Sequence, residues 1–322
     1  MTLGQEANPN KADERLLCIV GPTGVGKSRF SMEVALRLGG EIISCDSMSV
    51  YRGLDIGTDK PSAEDRALVP HHLLDVAEPG SYFSAGAFRN AALAAERAIR
   101  ARGHLPVVVG GTGLYYRALV QGLINAPPRQ EALRARLKQR VARLGPERMH
   151  RILRRLDPAY AARIGPRDSL RIVRAMEVAL ATGRPLSEWI AEAPFRTGDC
   201  GGSLRIGLTS SRPFLYDRIE RRVEAMMAAG FLEEVRGLEA RGCLTGPVRK
   251  AIGYGELAAH LKGLVGLERA VSAIKLRSRH LAKRQLAWFT KEKHIQWFNV
   301  EKEAWKYDAM EFIERWPSQA AG

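Results

Sequence analysis

Residues 21–28 read G-P-T-G-V-G-K-S: a glycine, four residues, then Gly-Lys-Ser. The apolar run Leu16, Leu17, Cys18, Ile19, Val20 precedes it, and Phe30, Val34, Ala35 and Leu38 follow at helical spacing. Such a segment has few ways to fold: a buried strand enters a glycine-rich turn and an amphipathic helix leaves it. The backbone N–H groups of the turn converge, and the first turn of the helix adds the positive end of its dipole, making a nest for two linked phosphates. Gly21, Pro22, Thr23, Gly24, Val25 and Gly26 are expected to form the cradle, with Lys27 neutralising charge and Ser28 holding a magnesium ion. The eight residues leave open whose phosphates these are.

Strand and helix go on alternating. Gly39-Gly40 stops the first helix, and Glu41-Ile42-Ile43-Ser44-Cys45 reads as a second buried strand ending at Asp46. A helix over roughly residues 85–102 leads through Gly103 into Leu105-Pro106-Val107-Val108-Val109, a third strand that ends on Gly110-Gly111-Thr112. These lengths predict right-handed crossovers and an α/β fold, a P-loop NTPase-like core with a parallel sheet flanked by helices. Active-site groups then belong at the carboxyl ends of the strands, where the phosphate loop, Asp46 and Thr112 all fall.

The character changes near Pro127. Residues 129–184 carry fifteen Lys or Arg against five Asp or Glu, a surplus of +10 within a chain total of +15. Apolar residues recur there at helical spacing (Leu133, Leu137, Val141, Leu144; Leu170, Ile172, Val173, Met176), so the segment reads as a mostly helical insertion with a basic outer face. The predicted organisation is a first part of the core over residues 1–124, the insertion over 125–202, and a return to the core over 203–322. The return opens with a strand near Leu204 and Leu208, after which helices are expected to dominate. A second basic run, residues 269–293, has eight Lys or Arg against one Glu. Such a balance favours a polyanionic partner over a small metabolite.

Cys18, Cys45, Cys200 and Cys243 are isolated, as expected of reduced thiols rather than a zinc site. Residues 1–15 lack the apolar core of a secretion signal, and no apolar stretch reaches transmembrane length. A cytoplasmic protein without membrane contact is expected, with residues 318–322 frayed.

A phosphate loop first suggests an ATP or GTP enzyme, which needs a strand ending in a carboxylate for the metal's water shell. The strand at Val107 to Val109 ends instead in Gly-Gly-Thr. The strand at Ile42-Ile43 does reach Asp46, but D-S-M-S-V-Y-R-G-L-D-I-G-T-D-K-P follows, and this is no nucleotide-kinase lid. A P-loop kinase stays open as an alternative.

The loop, Asp46-Ser47-Met48-Ser49-Val50-Tyr51, Gly53-Leu54-Asp55-Ile56-Gly57-Thr58, Pro70-His71-His72 and Gly110-Gly111-Thr112-Gly113-Leu114-Tyr115 together resemble the tRNA dimethylallyltransferase family, also called tRNA isopentenyltransferases. The likeness continues, in the family's order, through Arg174-Ala175-Met176-Glu177, the stretch from Arg218-Ile219 to Arg222, Gly230-Phe231, Gly253-Tyr254 and Lys283-Arg284-Gln285. It implies transfer of a dimethylallyl group from dimethylallyl diphosphate to the exocyclic amine of the adenine just 3′ of a tRNA anticodon. The loop would then grip a leaving diphosphate rather than ATP, and no phosphoryl group would move.

By that resemblance Asp46 is the general base, Thr112 the threonine at the reaction centre, and Arg222 an arginine that stabilises diphosphate. Arg218 lies one helical turn from Arg222, while neighbouring Arg221 leaves the register open. The resemblance also places tRNA contacts at Asp46, Ser47, Met48 and Ser49, at Arg134, along Leu170, Arg171, Ile172, Val173 and Arg174, at Lys250, and at Lys283, Arg284 and Gln285. Gly255 departs from the Arg or Lys of many relatives, and the zinc module of eukaryotic relatives is not seen, which fits a bacterial-type enzyme. His71 and His72 are read as structural. Expected partners are the tRNA anticodon stem-loop, dimethylallyl diphosphate and Mg2+, with the protein acting as a monomer; transfer to free AMP is the alternative closest in chemistry.

Overall fold

The computed structural model describes residues 16–193 and 203–319. Cys200 and residues 1–15, 194–202 and 320–322 lie outside the described residues, so the expectations for them stand as expectations. The chain divides into two compact units, one of residues 121–197 and the other of everything else.

The larger unit is built on six parallel strands: β1 Leu16–Val20, β2 Gly40–Ser44, β3 His71–His72, β4 Leu105–Gly110, β5 Ser203–Thr209 and β6 Gln296–Asn299. Their spatial order is β3-β2-β4-β1-β5-β6. Its first four helices are α1 Lys27–Leu38, α2 Ala63–Leu68, α3 Ala85–Ala101 and α4 Gly113–Val120. The smaller unit holds α5 Glu131–Leu144, α6 Pro146–Leu156, α7 Pro158–Ala161, α8 Ser169–Thr182 and α9 Leu186–Ala191. After β5 come α10 Arg212–Ala228, α11 Phe231–Ala240, α12 Tyr254–Leu261 and α13 Leu267–Phe289, and after β6 comes α14 Trp305–Gln319.

β1 is buried along its whole length because helices cover both faces of the sheet. A continuous apolar run, rather than an alternating one, is what a doubly covered parallel strand needs. Leu17 and Ile19 pack on one face with Phe30, Val34, Val107 and Ile206, while Cys18 and Val20 pack on the other with Ile43, Phe88, Val108 and Tyr116. Each such side chain contributes about 1.5–3 kcal/mol by leaving water.

Two short edge strands, β3 and β6, depart from the expected elements. β6 interrupts a region in which helices are expected to dominate, because four residues, one exposed and three half-buried, carry too little periodicity to stand out. The last helix runs to Gln319, past the point where fraying is expected. The smaller unit has its own core of Leu137, Met149, Leu153, Ile172, Val173 and Met176. Among the described residues no helix is long and apolar enough to cross a membrane.

Candidate active site

β1 lies between β4 and β5, and β4 lies between β1 and β2, so the loops after β1, β2 and β4 emerge side by side. Those three loops carry the phosphate cradle, Asp46 and Thr112. Gly26, the residue just before α1, has φ 101°, and a Cβ there would sit 3.3 Å from the Arg218 guanidinium. Only glycine meets both conditions without strain.

Lys27 Nζ donates to the Pro22 carbonyl at 2.8 Å, which folds the ammonium back over the loop. Burial there lowers its pKa to about 8, helped by nearby Arg222 and opposed by Asp46 and Asp59. An ammonium under that strain gains most from an arriving anion.

Thr23 is held twice. Its N–H donates to Gln285 Oε1 at 2.8 Å, and Gln285 Nε2 donates to the Gly111 carbonyl at 3.0 Å, so one α13 side chain ties the phosphate loop to the end of β4. Arg222 Nη1 donates to the Thr23 hydroxyl while its Nε donates to Asp59 Oδ2 at 2.9 Å.

Asp46 Oδ1 accepts from the N–H of Met48 at 2.7 Å and of Ser49 at 3.4 Å, so residues 46–49 wind around their own carboxylate. That leaves Oδ2 without a hydrogen bond among the described residues. Thr112 is locked beside it: its N–H donates to the Cys45 carbonyl at 3.2 Å, and its hydroxyl accepts from the Ser47 N–H at 3.1 Å.

Two cavities meet at this point. One, of about 640 Å³, is lined by Lys27, Ser28, Asp46, Arg218 and Arg222. The other, of about 670 Å³, is lined by Ser47, Met48, Thr112, Phe231, Lys250, Arg284 and Trp288. Thr23, Asp46, Arg222 and Gln285 border both. An anion in the first chamber and a nucleophile in the second would therefore face each other across Asp46.

The three arginines of α10 differ in placement. Arg218 and Arg222 line the first chamber, whereas Arg221 is 74% exposed and pairs with Asp217. Of the residues expected at a tRNA, Ser47, Met48, Lys250, Arg284 and Gln285 line the second chamber, and Ser49 lines the first. Lys283 is exposed on α13 and lines neither.

In the smaller unit the placement departs from expectation. Ile172 and Val173 are interior, at 0% and 3% exposure, and present no side chain to a partner. Arg134 and Arg174 both bind buried Glu177, at 2.8 and 3.1 Å, and so compensate a charge that would otherwise stand alone. Leu170 is 70% exposed, and Arg171 is exposed beside Asp168. His71 Nδ1 lies 2.7 Å from the Val69 carbonyl, and His72 Nε2 lies 2.6 Å from Glu41.

Sequence reasoning missed Asp59 and read Gln285 only as a nucleic-acid contact. Nothing local marks either, since their partners are 163 and 262 residues away.

A strand-loop-helix anion cradle, two guanidinium groups and a carboxylate where two chambers meet define a P-loop α/β protein equipped to displace a phosphate-bearing leaving group. The family model for IPP transferase matches residues 49–292, and that for isopentenyl transferase matches residues 14–70. A tRNA dimethylallyltransferase of Anaeromyxobacter sp. (strain K) is 48% identical over 283 residues, covering 88% of this chain and 92% of the relative. The full-length tRNA isopentenylpyrophosphate transferase from Bacillus halodurans superposes with a TM-score of 0.71 at 39% identity, over 96% of this chain and 98% of its own. A eukaryotic dimethylallyltransferase captured acting on tRNA gives a TM-score of 0.81 at 26% identity, over 95% and 80% respectively. The chain belongs to the IPP transferase family.

Proposed function

We propose that this protein transfers the dimethylallyl group of dimethylallyl diphosphate to the exocyclic N6 amine of the adenosine 3′-adjacent to the anticodon of tRNA, releasing diphosphate. The observation that carries this reading is the position of Asp46 at the junction of the two chambers, with Lys27 of the phosphate loop in the wall of the first and Thr112 in the wall of the second. In the reaction the bond between C1 of the allyl group and the diphosphate oxygen breaks, and a bond from N6 to C1 forms. The N6 proton passes to the carboxylate of Asp46.

Each residue has a physical task. The adenine amine is a weak nucleophile because its lone pair is delocalised into the ring, so a base that removes its proton as the bond forms lowers the barrier. The loop N–H groups, Lys27, Arg218 and Arg222 stabilise charge that grows on the departing oxygen. Thr112 orients the amine or a diphosphate oxygen from beside Asp46. Among the described residues no three His, Cys, Asp or Glu side chains form a metal-ligand cluster. Ser28, in the wall of the diphosphate chamber, would hold a magnesium ion through its hydroxyl. Such an ion would supply further neutralisation of the leaving group.

For Asp46 to reach it, the target adenine leaves its stack and enters the second chamber, whose mouth carries Lys250 and Arg284. Basic groups at that mouth, together with the surplus in residues 129–184, favour tRNA over free AMP, which needs no such surface. The enzyme would work in the cytoplasm, where its acceptor is found.

The test is incubation with labelled dimethylallyl diphosphate and unmodified tRNA, AMP or no acceptor. Label is expected on tRNA alone; label on AMP, or ATP hydrolysis without transfer, would overturn the reading. Asp46→Ala should abolish transfer while diphosphate binding stays measurable.

A further inference from the structure

Arg222 is carried on α10, yet it meets the phosphate loop at a residue 199 positions earlier in the chain. A guanidinium on a flexible stem does not keep one place unaided, because fixing it costs side-chain entropy. What steadies it is Asp59, which accepts from its Nε at 2.9 Å. Asp59 itself has φ 57°, in the left-handed region that non-glycine residues seldom enter unless their surroundings impose it.

The Asp59 N–H donates to the Ile56 carbonyl at 3.0 Å, and the residues that lead into this turn are held by Glu234 on α11. Its Oε2 accepts from the N–H of Asp55 at 2.8 Å and of Ile56 at 2.6 Å. Its Oε1 accepts from the N–H of Gly57 at 3.1 Å and from the Tyr254 hydroxyl at 2.7 Å. Three consecutive N–H groups converging on one carboxylate form an anion nest filled by the protein's own side chain. The fit leaves little slack, since a Cβ on Gly57 would lie 2.2 Å from the Phe231 ring. On its other side the loop is held by Lys60, whose Nζ donates to the Tyr51 carbonyl at 2.7 Å and to Asp55 and Asp75 at 2.8 and 2.5 Å.

We propose that Glu234 is a positioning residue for the diphosphate chemistry. It winds residues 55–57 so that Asp59 meets Arg222, and Arg222 meets Thr23 and the departing diphosphate. Glu234 touches no substrate itself. The proposal rests on the function above for the identity of the anion, and on the hydrogen bonds alone for the relay. A glutamine in its place keeps the size but offers a single acceptor oxygen, so it can serve only one pair of donors and turns an NH2 toward the other.

The test is titration of inorganic diphosphate, without tRNA, into wild type, Glu234→Gln, Asp59→Asn, Arg222→Gln and the Glu234→Gln/Arg222→Gln double variant. Binding should weaken about tenfold in Glu234→Gln, the size of a lost charge-assisted hydrogen bond, and similarly in Asp59→Asn. Adding Glu234→Gln to Arg222→Gln should cost nothing more, because the effect runs through that guanidinium. In transfer assays the donor KM should rise and kcat fall while the tRNA KM holds. Unchanged diphosphate binding in Glu234→Gln, or losses that simply add in the double variant, would overturn the relay and leave the function standing. Failure of wild type to bind diphosphate would instead sink the function, and the relay with it. Should Glu234→Gln lose its fold by circular dichroism, Asp59→Asn and its cycle with Arg222→Gln decide the matter by the same criteria.

Discussion

At the scale of single residues, Lys27 is the group whose surroundings change most when a phosphate arrives. Burial holds its pKa at about 8, so most of its charge is lost above that pH. A bound diphosphate restores the charged form and raises the pKa. Donor affinity should therefore fall above pH 8, approaching about tenfold per pH unit. The last ionisation of a phosphate ester lies at about 6, so proton uptake above pH 8 reports the lysine rather than the ligand. Calorimetry in two buffers of different ionisation enthalpy should find uptake approaching one proton per dimethylallyl diphosphate at pH 9, and Lys27→Gln should abolish it. That Lys27 and Asp46 share a chamber could be read from sequence because their positions follow from short spacing beside a strand end. Arg222 could not be separated from Arg221, since only the packing of α10 shows which of them turns toward the chamber.

At the scale of elements, the edge of the sheet depends on a buried carboxylate. Glu41, in β2, has a side chain only 2% exposed, and it binds Arg102 at 2.7 Å, His72 at 2.6 Å and His104 at 2.7 Å. These contacts, the Arg102 hydrogen bonds foremost, lower its pKa from 4.5 to about 2. A depressed carboxylate stabilises the fold fully above its unfolded pKa, and that contribution is lost as pH falls from 4.5 toward 2. Its size is about 2–3 kcal/mol. Urea midpoints of wild type and Glu41→Gln should differ clearly at pH 7 and converge as the pH falls toward 2; a constant difference would mean that the charge is not what matters. Gly57→Ala belongs to the same scale. Its Cβ would enter the Phe231 ring, so a loss of about 1–3 kcal/mol is expected in thermal unfolding. β1, β2 and β4 were legible as apolar runs ending in glycine or a carboxylate. β3 and β6 were not, because strands of 2 and 4 residues owe their existence to the neighbour they pair with.

At the scale of the whole molecule, the charge balance sets how an acceptor is captured. Arg151, Arg154 and Arg155 on α6 are exposed. Replacing all three with glutamine should weaken tRNA binding, lower its salt slope by about one per lost phosphate contact, and leave the donor KM unchanged. An equal loss for donor and tRNA, measured from 50 to 300 mM salt, would argue against α6 as a phosphate contact. The amino-acid sequence by itself determined the phosphate loop, the three strand ends that carry the site, and the basic helical insertion. These follow from patterns a few residues long, where covalent geometry and burial leave one good solution. Only the tertiary structure decided that Gln285 clamps the loop, that Arg134 and Arg174 serve Glu177, and that Glu234 and Asp59 steady Arg222. Those pairings join side chains from separate helices and loops, and their convergence depends on how the sheet and its covering helices pack. No local spacing encodes that packing.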